Sequence, residues 1–468
     1  MMARAYSPAA AQRGSVLVIV LWIAFGLVSL ALYFANAMNF ELRASDNRVC
    51  SMQAEQAIEG AARYIEYLLA TQIANGSNGV LPILNDSLCQ GVPVGNARFW
   101  LIGRDTNNPV GPGQLCFGLV DEASRINLNR ASSNTLIWLP RMTADLTQAI
   151  LDWRDTNGTG PTVTYYAMLQ PSYQCKCDPF ETVDEVRLLY GADMDTLLGE
   201  DANRNGVLDP NETDDNQNGM LDPGVLEYFT VYSREPNTNS DGSVRINIAN
   251  LSNTSAQLSG LLQTNFGSSR ANQILASLGL LVGGPSPGRG GGGGAPAAPT
   301  ANVRFTSPLQ FYVRSGMTAE EFAMVATNLT VSSASFVEGR VNVNTASAPV
   351  LACLLGGDTA AAEALVNYRQ SNPSMLGSIA WVVEALGQSY SEALQTLQAR
   401  DYITTQSYQC TADIAALGPF GRGYRRVKFV FDTSSGTPRI VFRQDLTHLG
   451  WALGKAVRQN LVLASTPQ

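Results

Sequence analysis

The chain has a single histidine, His448, among 468 residues, which excludes a multi-histidine zinc or iron centre and leaves no spare base for a proton relay. Charge is scarce too: 15% of the residues are Asp, Glu, Lys or Arg, well below the roughly 25% of an ordinary soluble chain. The balance is acidic, with 31 Lys and Arg against 39 Asp and Glu for a net charge of -8. No overall field therefore draws phosphate backbones, and nucleic acid is not an expected partner. No nucleophile stands in a cluster with a base, so an enzyme is not expected. Disorder is excluded by an apolar content of 45%, and the length predicts about three domains, each able to bury a core.

The chain does have one long charge-free run, residues 15–35, SVLVIVLWIAFGLVSLALYFA. At a rise of 1.5 Å per residue it is about 30 Å long, enough to cross a bilayer. Arg4 and Arg13 precede it in a polar leader, so the positive-inside rule puts the N-terminus in the cytoplasm and the bulk outside. A secretory signal would end a shorter apolar run in a small-residue cleavage site. Here the polar-to-apolar switch comes before the run, at Arg13, Gly14 and Ser15. Beyond the run, Phe40, Leu42, Ala54, Ala57, Ile58, Ala61, Ile65 and Leu68 continue at spacings dominated by three and four, which predicts one helix of about 50 residues or more, half in lipid and half packed on a globular domain.

The seven cysteines fit an oxidising compartment, with Cys89–Cys116 and Cys353–Cys410 as candidate pairs and the connectivity open. Cys50 is expected to stay free. Cys175 and Cys177 are one residue apart, too close for a relaxed mutual bridge, and such a pair without further ligands is a weak metal signal.

Strand-like runs occupy 97–103 and 114–120, and a second pair, 425–432 and 438–445, flanks a turn. Between them lies a helical middle, divided by the Gly/Pro-rich stretch 283–301 that reads as a flexible linker. The middle repeats itself: Arg125 opens RINLNRASSNTLIWLP, Arg245 opens RINIANLSNTSAQLSG and Arg340 opens RVNVNTASAPVLACLL. In the first and third, an Asn-x-Asn is followed by Ala-Ser at a helix N-cap position and then by apolar residues at helical spacing, which reads as a small helix-hairpin-helix bundle. Asn127, Asn129, Asn342 and Asn344 are expected to bond neighbouring backbone. Such bundles can bind phosphates through a glycine hairpin. The first hairpin has no glycine, and Gly356-Gly357 in the third is followed at once by Asp358 with no basic cluster.

The most specific chemical motif is 201–212, DANRNGVLDPNE. It fits a calcium loop position by position: Asp201, Asn203 and Asn205 as oxygen ligands, Gly206 at the sharp turn, the Val207 carbonyl, Asp209, and Glu212 as the closing bidentate carboxylate. A second copy begins at Asp214 and continues through Asn216, Asn218, the Met220 carbonyl and Asp222, but Val225 stands where a glutamate belongs and Glu227 is the nearest substitute. Calcium is the expected cofactor, acting as a structural clamp because long flanking helices are lacking; a solvated acidic turn is the alternative.

The basic leader ending at Gly14, the helix from Ser15, the INLN and VNVNTAS units, the segment FETVDEVRLLYG at 180–191 and the closing strand pair resemble the minor pseudopilin K family of type II secretion (general secretion pathway protein K). The resemblance implies an α+β fold, a long N-terminal helix packed on a small antiparallel sheet that a large helical insertion interrupts. It also implies a structural subunit at the pseudopilus tip, in the inner membrane with its bulk in the periplasm. Its partners would be the I and J minor pseudopilins and the major pseudopilin. A prepilin peptidase would cut after Gly14 and methylate Ser15. Most pseudopilins carry glutamate at the fifth mature position and the K subunit does not; here that position is Ile19. The expected layout is leader 1–14, membrane half-helix 15–35, helix and first strands 36–120, first helical domain 121–282, linker 283–301, second helical domain 302–405 and C-terminal strands 406–468. The runner-up is a membrane-anchored DNA receptor of the competence type, which also joins a membrane helix to helix-hairpin-helix units.

Overall fold

The computed structural model describes residues 14–106, 114–251, 253–280 and 303–465; the leader up to residue 13 and the Gly/Pro-rich stretch 283–301 lie outside the described residues. The apolar run and the pattern behind it form one helix, α1 (Gly14–Ala74), of 61 residues. Among the described residues it is the one helix long and apolar enough to cross a membrane. Residues 16–49 are exposed on every face, and burial begins at Cys50. From there Ala54, Ala57, Ile58, Ala61 and Ile65 are fully buried, packed against Phe99, Leu101, Ala412, Ile414, Phe429 and Phe431 of a sheet. Small residues on the helix let it lie close to the strands. At Cys50 the approach is so tight that a Cβ on Gly418 would fall 2.3 Å from the Cys50 carbonyl oxygen.

The sheet consists of β1 (Val92–Val94), β2 (Ala97–Ile102), β3 (Val120–Asp121), β4 (Gln409–Leu417), β5 (Arg425–Asp432) and β6 (Arg439–Asp445). Its order is β1-β2-β4-β5-β6, all neighbours antiparallel, with β3 beside the start of β4. The pairing of Asp121 with Cys410 means that the chain leaves the sheet and returns to it at the same place. One strand expectation changes, and one strand carries no sequence pattern. The run at 114–120 gives only a bridge at Phe117 and the two residues of β3. The central strand, β4, has no alternating pattern because all nine of its residues are buried.

Three equivalent units fill the insertion, where the sequence suggested two domains about a linker. Ile126–Asn127 pairs in parallel with Phe229–Thr230, Ile246–Asn247 with Leu329–Thr330, and Val341–Asn342 with Ile403–Thr404. In each unit the asparagine Oδ1 accepts the backbone N–H two residues on, from Asn129, Ala249 and Asn344 respectively. Each closing threonine Oγ1 likewise accepts the N–H two residues on, from Tyr232, Ser332 and Gln406. The first and third units share an arginine clamp: Arg154, ending α2 (Ala144–Arg154), donates to the Leu128 and Ala131 carbonyls, and Arg369 of the third unit donates to those of Val343 and Ala346. Asn129 exchanges hydrogen bonds with the Phe180 backbone, while Asn344 donates to the Leu376 carbonyl and accepts from Trp381 Nε1. These asparagines are structural, as their spacing implied. The second unit's strands, 246–247 and 329–330, stand on either side of 283–301, so that stretch belongs inside a unit and does not separate two domains. One core runs through all three units, from Ile126 to Ile403.

The proposed disulfides are not formed: all seven cysteines are free. Cys353 is in the helical core and Cys410 in the helix–sheet core. Cys89 is sealed under the sheet, whereas Cys116 lines a cleft beside Arg104 outside that core. Each candidate pair is thus divided between compartments of the fold.

Candidate metal centre

Residues 201–212 fold into the tight loop that the motif demands. Asp201 Oδ1 accepts the Asn205 N–H at 2.9 Å and Oδ2 the Gly206 N–H at 2.8 Å. Asn203 Oδ1 also takes the Asn205 N–H, and Asn205 Oδ1 takes that of Val207. Glu212 reaches back with both oxygens, to the N–H groups of Asn203 at 3.2 Å and Asp209 at 3.0 Å. Left-handed backbone at Arg204 (φ 58°) and Gly206 (φ 81°) makes the turn. Asp201, Asn203, Asn205 and Asp209 are 5% exposed or less, which contradicts the alternative of a solvated acidic turn.

The second loop repeats the geometry near the surface. Asp214 accepts from Asn218 and Gly219, Asn216 from Asn218, and Asn218 from Met220. Gln217 (φ 57°) and Gly219 (φ 72°) repeat the two left-handed positions. The closing carboxylate is not Glu227. That residue is ion-paired with Arg104 at 2.9 Å and lies within 3.6 Å of Arg125. Glu200, just ahead of the first loop and 4% exposed, is the carboxylate that reaches into this loop, with its two oxygens accepting the Asp215 and Asp222 N–H groups at 2.8 Å each. It stands ahead of both loops, whereas the loop template puts its closing carboxylate downstream at position 12. The signal is Gly199 (φ 58°), where a Cβ would stand 2.4 Å from the Asp222 carbonyl oxygen; the two loops are pressed together there, and Glu200 is carried into the second.

Among the described residues no three His, Cys, Asp or Glu side chains converge by themselves. The donors are mixed carboxylate, amide and carbonyl oxygens, the chemistry a hard divalent cation takes. Asp209 Oδ2 is held by the side-chain amides of Asn203 and Asn205 at 2.7 and 2.9 Å, contacts a bound cation would replace. Burial pushes the Asp201 and Glu212 carboxyls upward, with Arg104 opposing it at Asp201 and backbone N–H groups opposing it at Glu212.

The first loop is seated on the sheet by two arginines. Arg104, just after β2, donates to the carbonyls of Arg204 and Asn205 at 3.0 and 3.1 Å, and Arg426 on β5 donates to those of Asn203 and Arg204 at 2.6 and 2.8 Å. Burial opposes ionisation of Glu227, but Arg104 and Arg125 outweigh it and hold this carboxyl at about 2. A depressed carboxylate contributes stability above its unfolded value of about 4.3 and loses it as pH falls through the folded value. Stability is therefore expected to decline from about pH 4 toward pH 2, and Glu227→Gln should be weaker at neutral pH with a shallower acid slope, as read by urea unfolding at each pH.

The helix hairpins of the first and third units face each other. A Cβ on Gly357 would lie 2.5 Å from Trp138 Cε3, so the neighbouring unit packs on one of the two hairpin glycines while Gly356 stays exposed.

Residues 341–401, essentially the third unit, match the model of the family described as type II secretion system (T2SS), protein K. No curated protein matches the chain. Among solved structures the chain is similar to the crystal structure of the GspK-GspI-GspJ complex from the enterotoxigenic Escherichia coli type 2 secretion system, with 9% identity, 84% of this chain and 96% of that chain covered, and a TM-score of 0.40.

Proposed function

From the match of residues 341–401 to type II secretion system protein K as premise, we propose that the chain is a structural minor pseudopilin that caps the pseudopilus tip, initiates its assembly and supports protein export across the outer membrane. The observation that carries this reading is α1: a 61-residue helix, charge-free and exposed where it would enter the inner membrane, and packed by its far half on an antiparallel sheet that carries the matched unit as an insertion. The bulk of the chain then lies in the periplasm. Prepilin peptidase cuts between Gly14 and Ser15 and methylates the new terminus. In a fibre of packed apolar helices, a glutamate at the fifth mature position neutralises a neighbour's terminal ammonium and avoids an unpaired buried charge. Ile19 offers no carboxylate to a subunit above, while the Ser15 amine still receives one from below. Growth therefore proceeds beneath this chain, through the I and J minor pseudopilins to the major pseudopilin.

Calcium serves as a clamp in this reading. The first ion is held by Asp201, Asn203, Asn205, the Val207 carbonyl, Asp209 and Glu212. The second is held by Asp214, Asn216, Asn218, the Met220 carbonyl, Asp222 and, in place of Glu227, Glu200. A cation relieves the penalty of burying these carboxylates together. The competence-type DNA receptor is disfavoured by the acidic balance and by a first hairpin that has no glycine.

Photo-crosslinkers placed at Ile19 and Ala24 are expected to capture the I and J subunits, in a protein whose N-terminus is a methylated Ser15. Recovery along the whole shaft in proportion to the major pseudopilin would refute the tip assignment. Chains beginning only at Met1, from cells with active peptidase, would refute the processing.

A further inference from the structure

Past β6 the chain buries Ala452 and Leu453 against Trp100, Ile102, Ala415 and Leu417, on the sheet face opposite α1, and then forms α3 (Gly454–Ser465). Two amides of the first loop reach the root of that helix. Asn205 Nδ2 donates to the Ala452 carbonyl at 3.2 Å and Asn203 Nδ2 to that of Trp451 at 3.4 Å. Both amides have a fixed orientation, since each Oδ1 accepts a backbone N–H of the loop and only the nitrogen is left to donate. The equivalent amides of the second loop, on Asn216 and Asn218, donate to Asp222 and, among the described residues, to nothing else. α3 has little other support. Of residues 455–459, Val457 alone is half-buried and the rest are exposed, and a helix this short is marginal in water without tertiary contacts. Trp451 Nε1 ties its root by donating to the Gly454 carbonyl at 2.7 Å. The cleft between helix and loop is lined by Asp209 and Glu212 on one side and by Lys455 and Gln459 on the other.

We propose that the first calcium site is a latch for α3: filling it orders the helix against the sheet, and emptying it releases the helix. The proposal rests on the calcium reading of residues 201–212. Without a cation, Asp209 Oδ2 draws both amide nitrogens toward itself, while Asp201, Asp209 and Glu212 repel one another across the loop. A divalent cation takes up these carboxylates and the two Oδ1 oxygens. The nitrogens then lose Asp209 as an acceptor, and the cation's pull on each Oδ1 polarises the N–H groups into stronger donors toward the Trp451 and Ala452 carbonyls. Ala452 and Leu453 stay buried in either state, so the change is confined to the helix beyond them. The second site has no amide directed at α3 and does not take part.

Hydrogen exchange of the full chain in detergent reads the latch directly, at labelling times of seconds to minutes that report local opening and not global unfolding. Exchange at 201–212 and at 455–459 is compared between 10 mM calcium and chelator. Both segments are expected to slow together in calcium by about 10–100-fold, the factor by which an ion with a dissociation constant of about 0.1–1 mM disfavours an opening that releases it. Asp214→Ala, which strikes the second loop, should leave this effect in place. Asn203→Asp combined with Asn205→Asp offers the ion an oxygen at each position but no amide hydrogen to the two carbonyls. In that variant calcium should protect 201–212 while 455–459 exchange as they do in chelator. Protection confined to 201–212 in the parent chain, or retained at 455–459 in the double variant, would overturn the latch and leave the calcium reading standing. No protection in either segment, with no ion taken up in a calcium titration, would overturn the calcium reading and the latch with it.

Discussion

Replacing Arg426 with alanine is expected to cost about 3–5 kcal/mol of stability, the range for breaking a buried ion pair from one side. Arg426 is completely buried. Its Nε and Nη2 donate to Asp413 on β4 at 2.8 and 2.6 Å, while Nη1 and Nη2 hold the carbonyls of Asn203 and Arg204. Alanine would strip Asp413 of its bidentate partner inside the sheet and the Asn203 carbonyl of its arginine donor, while the Arg204 carbonyl would keep Arg104 alone. Removing both charges, with Asp413→Leu and Arg426→Met, should cost less than the sum of the two single changes, because neither partner is then stranded. Urea unfolding of the single and double variants measures the coupling; additive costs would show that the pair is not a unit. The thermal shift given by calcium should also shrink in Arg426→Ala, because this side chain positions the loop.

On the proposed calcium clamp, withdrawing calcium is expected to give the second large effect. Loops of this class outside cells have dissociation constants of about 0.1–1 mM, so 10 mM calcium should stabilise the fold by about 1.4–2.7 kcal/mol per occupied site. Asp201→Ala should abolish the first site's share and Glu200→Ala the second's. Each should lower the melting temperature measured in calcium and change it little in chelator. Glu227→Ala should weaken the protein equally in both, since its partners are Arg104 and Arg125. A fall that is independent of calcium for Glu200→Ala would return that residue to an ordinary structural role.

Periodic elements were the most legible in the sequence. The apolar run and the three-and-four spacing behind it follow helical length and period, and β2, β5 and β6 stand out by their aromatic and β-branched residues. The oxygen-rich loops were legible because a cation-binding turn fixes side-chain type and glycine at numbered positions. β4 was not, because its Ala412, Ala415 and Ala416 are weak strand formers and burial on both faces removes alternation. The echo at Arg245 pointed to a third unit. Its closing partner, Leu329–Thr330, is distant in sequence, and two-residue strands carry no periodicity of their own. Glu200 escaped for a related reason: it serves the loop that is not adjacent to it. The cysteine pairs failed because parity and compartment say nothing about which core a residue enters.

The pairing of Asp121 with Cys410 also sets a timetable. β4 is the strand that joins β2 to β5 and, with them, covers the apolar face of α1. It is synthesised only after all three inserted units have emerged. Each unit can close on its own ends as it appears, but Ala54, Ile58 and Ile65 of α1 wait with an unfinished sheet until nearly the whole chain is made. The helix side of that core is thus translated before the inserted units and sealed after them. An interrupted chain would leave α1 with its apolar face open, a species prone to aggregation and a natural target for quality control.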